Sequence, residues 1–81
     1  MKVTVRMFAV ARQLAGADEV TCELPTNATV GQLRAALLES VPQLAPLLPR
    51  MMIAVDSEYA TNQTIVTTQS EVACIPPVSG G

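Results

Sequence analysis

The chain has 81 residues, five basic against seven acidic side chains for a formal net charge of −2, and one Phe, one Tyr and no Trp. That length suits one small domain, near the lower limit for a hydrophobic core without staples, and an apolar share of 49% is globular and not disordered. The sign and scatter of the basic residues, from Lys2 to Arg50, argue against nucleic-acid binding, and no apolar run approaches the roughly 20 residues of a membrane span.

Val3, Val5 and Met7 alternate with Lys2, Thr4 and Arg6, the period of a strand with one buried face. Phe8 to Ala15 reads as a short helical turn stopped at Gly16. Val20, Cys22 and Leu24 alternate with Glu19, Thr21 and Glu23, a second strand expected to pair antiparallel with the first and to turn its acids to water. After the Pro25-Thr26-Asn27 break, Thr29 stands three residues before Gln32, a capping box that opens the main helix. Val30, Leu33, Leu37 and Val41 form its core stripe, with Gln32, Arg34 and Glu39 expected to face out, and Pro42 ends it.

Leu44, Leu47 and Leu48 sit among three prolines from Pro42 to Pro49, which suggests a compact turn or short helix over the core. Met52 to Val55 has the look of a buried strand, Asp56-Ser57 of a turn and Glu58-Tyr59-Ala60 of a brief edge strand. Thr61 to Ser70 reads as loop anchored by Ile65 and Val66. Glu71 to Ile75 is the last strand, stopped by Pro76 and Pro77, which cannot donate to a ladder. A helix crossing between strands implies an α+β domain with a mixed sheet and one main helix across one face. The four methionines are expected as core filler. Cys22 and Cys74 stand without a C-x-x-C pair or any histidine, so a metal site is not expected. Both read as reduced core thiols, with a disulfide the less favoured alternative. Met1-Lys2 leads into an alternating segment and not a signal-peptide block, so a cytoplasmic location without membrane association is the expectation.

The sequence closes on Gly80-Gly81, reached through Pro76-Pro77-Val78-Ser79. Glycine lacks a Cβ, so two in succession make a strip of backbone narrow enough to enter a slot in another protein; the ordinary alternative is a disordered terminus. The five residues from Pro77 to Gly81 reach about 17 Å when extended. The reactive group would be the α-carboxylate of Gly81, which at neutral pH is a poor electrophile and must be activated. Nothing in the chain provides for that: there is no histidine base and no Gly-rich phosphate loop, and Asp56 and Glu58 form no recognisable metal site. Activation must come from a partner.

Four runs carry a family resemblance: Phe8-x-x-x-Arg12-x-Leu14-x-Gly16, Thr29-Val30-x-x-Leu33, Ile53-Ala54-Val55, and Glu71-Val72-Ala73-x-x-Pro76-Pro77-Val78-x-Gly80-Gly81. They resemble the small, sulfur-carrying subunits of molybdopterin synthase, a ubiquitin-like family. The resemblance implies a β-grasp domain over residues 1–75 and an extended tail over 76–81. It implies a subunit that is no enzyme on its own and keeps no bound cofactor. An E1-like adenylating enzyme, using ATP and magnesium, would form an acyl-adenylate on Gly81. A sulfur donor protein would then leave a thiocarboxylate (1-thioglycine) there.

The tail, Pro76, Pro77, Val78, Ser79 and Gly80 leading to Gly81, would enter the active site of a large subunit. There it would convert cyclic pyranopterin monophosphate to molybdopterin, in a complex of two small and two large subunits. Phe8, Tyr59, Ile75 and Arg12 match partner-contact positions of the family; core packing is the alternative for the first three and a solvated charge for Arg12. Carriers for thiamine thiazole or tRNA thiolation share the fold and the diglycine, and a non-covalent β-grasp interaction module is the reading from another class. The chain departs from the family where Cys74-Ile75 replaces an aromatic pair and where Thr68-Gln69-Ser70 replaces a Gly-Asp turn.

Overall fold

The computed structural model describes residues 1–77. The alternation at the start of the chain becomes β1, Lys2–Met7, with Val3, Val5 and Met7 buried and Lys2, Thr4 and Arg6 exposed. A seven-residue helix, α1 (Ala9–Ala15), follows directly and ends at Gly16, whose φ of 71° lets its N–H close on the Arg12 carbonyl. That left-handed C-cap is the conformation only glycine takes without strain. The chain returns as β2, Glu19–Glu23, antiparallel to β1 with Val3 opposite Cys22 and Arg6 opposite Glu19.

The capping box forms as expected: Thr29 Oγ1 accepts from the Gln32 N–H and Gln32 Oε1 accepts from the Thr29 N–H, satisfying two orphan donors at the start of α2, Val30–Ser40. Its Val30, Leu33 and Leu37 are fully buried, and Val41 follows at the C-cap. Two 3-10 turns, Pro42–Leu44 and Leu48–Arg50, carry the proline-rich passage. Next comes β3 (Met52–Val55), then a two-residue turn in which Asp56 and Ser57 both have positive φ, then β4 (Glu58–Tyr59). Such a turn matches the right-handed twist of its flanking strands. Last comes β5, Val72–Ile75.

The five strands lie in the order β2-β1-β5-β3-β4, with β5 parallel to β1 and antiparallel to β3. With α2 across one face, this is the α+β, β-grasp architecture anticipated. The core is the space between that face and the helix. Val3, Val5, Cys22, Ile53, Val72 and Cys74 enter it from the sheet and Leu33 and Leu37 from α2, while Leu44, Leu48, Met51 and Val66 close its rim. Each such Val, Leu, Ile or Met side chain contributes about 1.5–3 kcal/mol through removal from water. No helix among the described residues is long and apolar enough to cross a membrane.

Three expectations need correction. Arg34 does not face out. Its guanidinium donates to the Leu48 carbonyl at 3.0 Å, the Met51 carbonyl at 2.8 Å and Asn62 Oδ1 at 3.1 Å, tying α2 to an irregular passage that lacks a continuous ladder. Ile65 is half exposed while Val66 is fully buried. The segment runs extended against the start of α2, with Val30 N–H on Thr64 O and Val66 N–H on Ala28 O, so neighbouring side chains take opposite sides. Met52 is 43% exposed, unlike the buried Met7 and Met51, because it sits on the outer face of β3. Both thiols are free and buried, and burial pushes their pKa values up; Cys74 Sγ lies 3.3 Å from Met51 Sδ.

Candidate functional site

The sheet face away from α2 has no covering element among the described residues, and sheet register dictates what it displays. One row reads Arg6, Ala73, Ala54, Tyr59 across β1, β5, β3 and β4, with Glu19 of β2 beyond Arg6. The next row sets Met52 opposite Ile75. The Phe8 N–H donates to the Cys74 carbonyl at 3.3 Å, carrying the β1–β5 pairing one residue further and bringing Phe8 alongside Ile75. Ala9, with a φ of 50°, then bends the chain away into α1. A left-handed alanine costs about 1 kcal/mol, a strain held at the residue that follows Phe8.

Small residues in the middle and large ones around them make a shallow dish. Ala54 and Ala73 form its floor, Phe8, Tyr59, Ile75 and Arg6 its wall, Ser57 and the carboxylate-bearing Glu71 also line it, and its volume is about 370 Å³. Phe8 is 41% and Tyr59 67% exposed, and together with Met52 they are three of the five large apolar side chains exposed among the described residues. Their gathering on one face is what marks it, since single exposed apolar residues are ordinary.

Of the residues singled out in the sequence, Phe8, Tyr59 and Ile75 therefore share one surface and do not belong to the core. Arg12 stands beside it, in a neighbouring concavity with Phe8, Ala9 and Arg6, and reaches Asp18 at 3.4 Å in an exposed ion pair of the kind that contributes little. Pro76 and Pro77 follow the end of β5 at the Phe8–Ile75 side of the dish, Pro76 half-buried and Pro77 exposed. Val78, Ser79, Gly80 and Gly81 lie outside the described residues.

Two features of the face went unread in the sequence. Arg6 is one, although the alternation in β1 already placed it outward; its guanidinium stands over the Phe8 ring, 5.6 Å from the centroid. The other is the Ala54–Ala73 floor, which needs the register of two strands distant in sequence.

The ThiS family model matches residues 5–81. A molybdopterin synthase sulfur carrier subunit from Caenorhabditis briggsae is 40% identical over 83 residues, spanning all of this chain and 99% of that protein. Among solved structures, a putative molybdopterin converting factor, subunit 1, from Pyrococcus furiosus superposes with a TM-score of 0.85 at 30% identity, over 96% of this chain and 99% of that one. SAMP1 from Haloferax volcanii superposes with a TM-score of 0.87 at 26% identity over the whole of both chains. With a family model that spans nearly every residue and a relative matched end to end, this chain belongs to the ThiS family.

Proposed function

We propose that this chain is the sulfur carrier subunit of a molybdopterin synthase, bearing sulfur as a thiocarboxylate on Gly81. The observation that carries the reading is the end-to-end match, Gly81 included, to proteins named as such subunits. In this reading an adenylating enzyme first attaches AMP to the Gly81 carboxylate, using ATP and magnesium and releasing pyrophosphate. A sulfur donor then displaces AMP. The resulting thiocarboxylate is anionic and strongly nucleophilic, as thiolates are. In the large subunit its sulfur attacks the pterin precursor, water then cleaves the glycyl–sulfur bond so that the sulfur stays on the pterin, and the carrier returns with an ordinary carboxylate to be recharged.

The chain's own part is to be held and to reach. Phe8, Tyr59 and Ile75 supply a desolvating anchor, and two prolines lead away from the end of β5 toward the diglycine. Proline fixes φ and has no N–H to pair with a neighbouring strand, which favours an extended lead. Catalytic groups belong to the large subunit in this reading, and a cytoplasmic site of action goes with it.

Reconstitution tests the function. Purified carrier, large subunit, activating enzyme, sulfur donor and cyclic pyranopterin monophosphate should yield molybdopterin. Gly81→Ala should abolish the yield without changing thermal stability. Molybdopterin formation by a carrier extended by one untrimmed residue would sink the reading. So would formation of a thiazole or a thiolated tRNA, but no molybdopterin, when those acceptors are offered.

A further inference from the structure

The family resemblance gives Arg6 no role, and the charge pattern around it is unusual. Across β1 and β2 it faces Glu19, an arrangement in which opposite charges normally pair. Yet among the described residues the only ion pair is Arg12–Asp18. The Arg6 guanidinium lies instead over the Phe8 ring, at the lip of the dish and in both concavities that meet there. A cation–π contact restrains the guanidinium without using up its N–H donors.

We propose that Arg6 is a specificity determinant of this face, receiving a carboxylate from the protein that covers the dish. The inference rests on the reading that the dish docks the large synthase subunit. A partner surface laid over Phe8 and Ile75 must also cover Arg6, because the guanidinium stands on that ring. Glu19 faces Arg6 and Glu71 lines the same dish, but among the described residues neither is in ion-pair contact with it, and covering a cation left without a direct partner is costly, so an entirely apolar partner is penalised. A partner with an Asp or Glu at that point gains a charge-assisted pair with the guanidinium fork. The same residue thus attracts the right surface and rejects wrong ones. The partner is an apolar protein surface carrying one carboxylate. A phosphate-rich surface is disfavoured by the net charge of −2 and the absence of a basic cluster.

Calorimetric titration against the purified large subunit, at low and high salt, tests this with wild type, Arg6→Leu, Arg6→Lys, Arg6→Glu and Phe8→Ala, all checked for unchanged melting. Arg6→Leu should weaken binding about tenfold or more and flatten its salt dependence, since truncating one member of a covered charge pair leaves the other unpaired. Arg6→Glu should be weaker still, and Arg6→Lys should recover part of the loss. If the dish docks by apolar contact alone, Arg6→Leu enlarges the patch and binds as well as or better than wild type. That result, alongside weakening by Phe8→Ala, overturns the role of Arg6 and leaves the docking face standing. Failure of wild type to bind the large subunit overturns both.

Discussion

The sheet has two faces made from the same strands, and residues one apart in sequence differ entirely in consequence between them. Val5 is fully buried under α2 while Arg6 beside it stands on the open face; Cys74 is fully buried while Ile75 lines the dish. On the covered face every side chain is apolar and fills the space against Leu33 and Leu37, so shape there governs stability. On the open face the strands carry two alanines with larger apolar residues around them, and charged side chains such as Arg6, Glu19 and Glu71 beside these, so its surface is not that of a packed core. The contrast teaches that folding needs only one face of the sheet, which leaves the other free for the partner proposed above.

Substitutions can break this contrast. Leu37→Ala on the covered side should cost about 3 kcal/mol in chemical denaturation, through lost burial and the cavity left behind. A loss below about 1 kcal/mol would mean the helix–sheet interface is not the principal core. Arg34→Met should cost roughly 1–3 kcal/mol, because the Leu48 and Met51 carbonyls lose a charged donor. It should leave partner affinity unchanged.

Tyr59→Ala reverses the pattern. The melting temperature should hold within the shift expected of about 0.5 kcal/mol, while affinity for the large subunit falls by about 1–2 kcal/mol. Equal and large effects on both would show Tyr59 to be structural.

The thiols sharpen the comparison from inside. Burial raises the pKa of Cys22, partly offset by a hydrogen bond with Ser40, and raises that of Cys74, partly offset by the Arg34 charge. Unfolded thiols ionise near 9.0 and the folded ones at higher pH, so the folded state binds more protons between those values. Their contribution to stability is therefore complete below 9.0 and is lost as pH rises through the folded values. The denaturation midpoint should decline on the alkaline side of 9.0, less so in a Cys22→Ala, Cys74→Ala double variant.

Much of this was legible in the residues, and what was not has identifiable causes. Alternation over Lys2–Met7, the Thr29–Gln32 box and the Gly16 stop are local signals, and each element formed where they stand. Arg34 misled because a helical wheel shows only which side a residue faces, not that carbonyls at 48 and 51 lie within reach of a long side chain. Ile65 and Val66 look alike in composition, and only the pairing with Thr29 decides which enters the core. Phe8, Tyr59 and Ile75 could be singled out one at a time, but their union in one dish depends on the parallel pairing of β1 with β5, which joins residues far apart in sequence. The same pairing sets Arg6 beside Ala73, and the β3–β5 register adds Ala54 to complete the floor.

The most direct test of the sulfur-carrier account is the intact mass of this chain after incubation with an adenylating enzyme, ATP, magnesium and a sulfur donor. The account predicts a gain equal to the replacement of one oxygen by sulfur, mapped by fragmentation to Gly81 and absent without ATP. An unchanged mass, under conditions in which a known carrier is converted, would contradict it and leave a docking module without covalent chemistry.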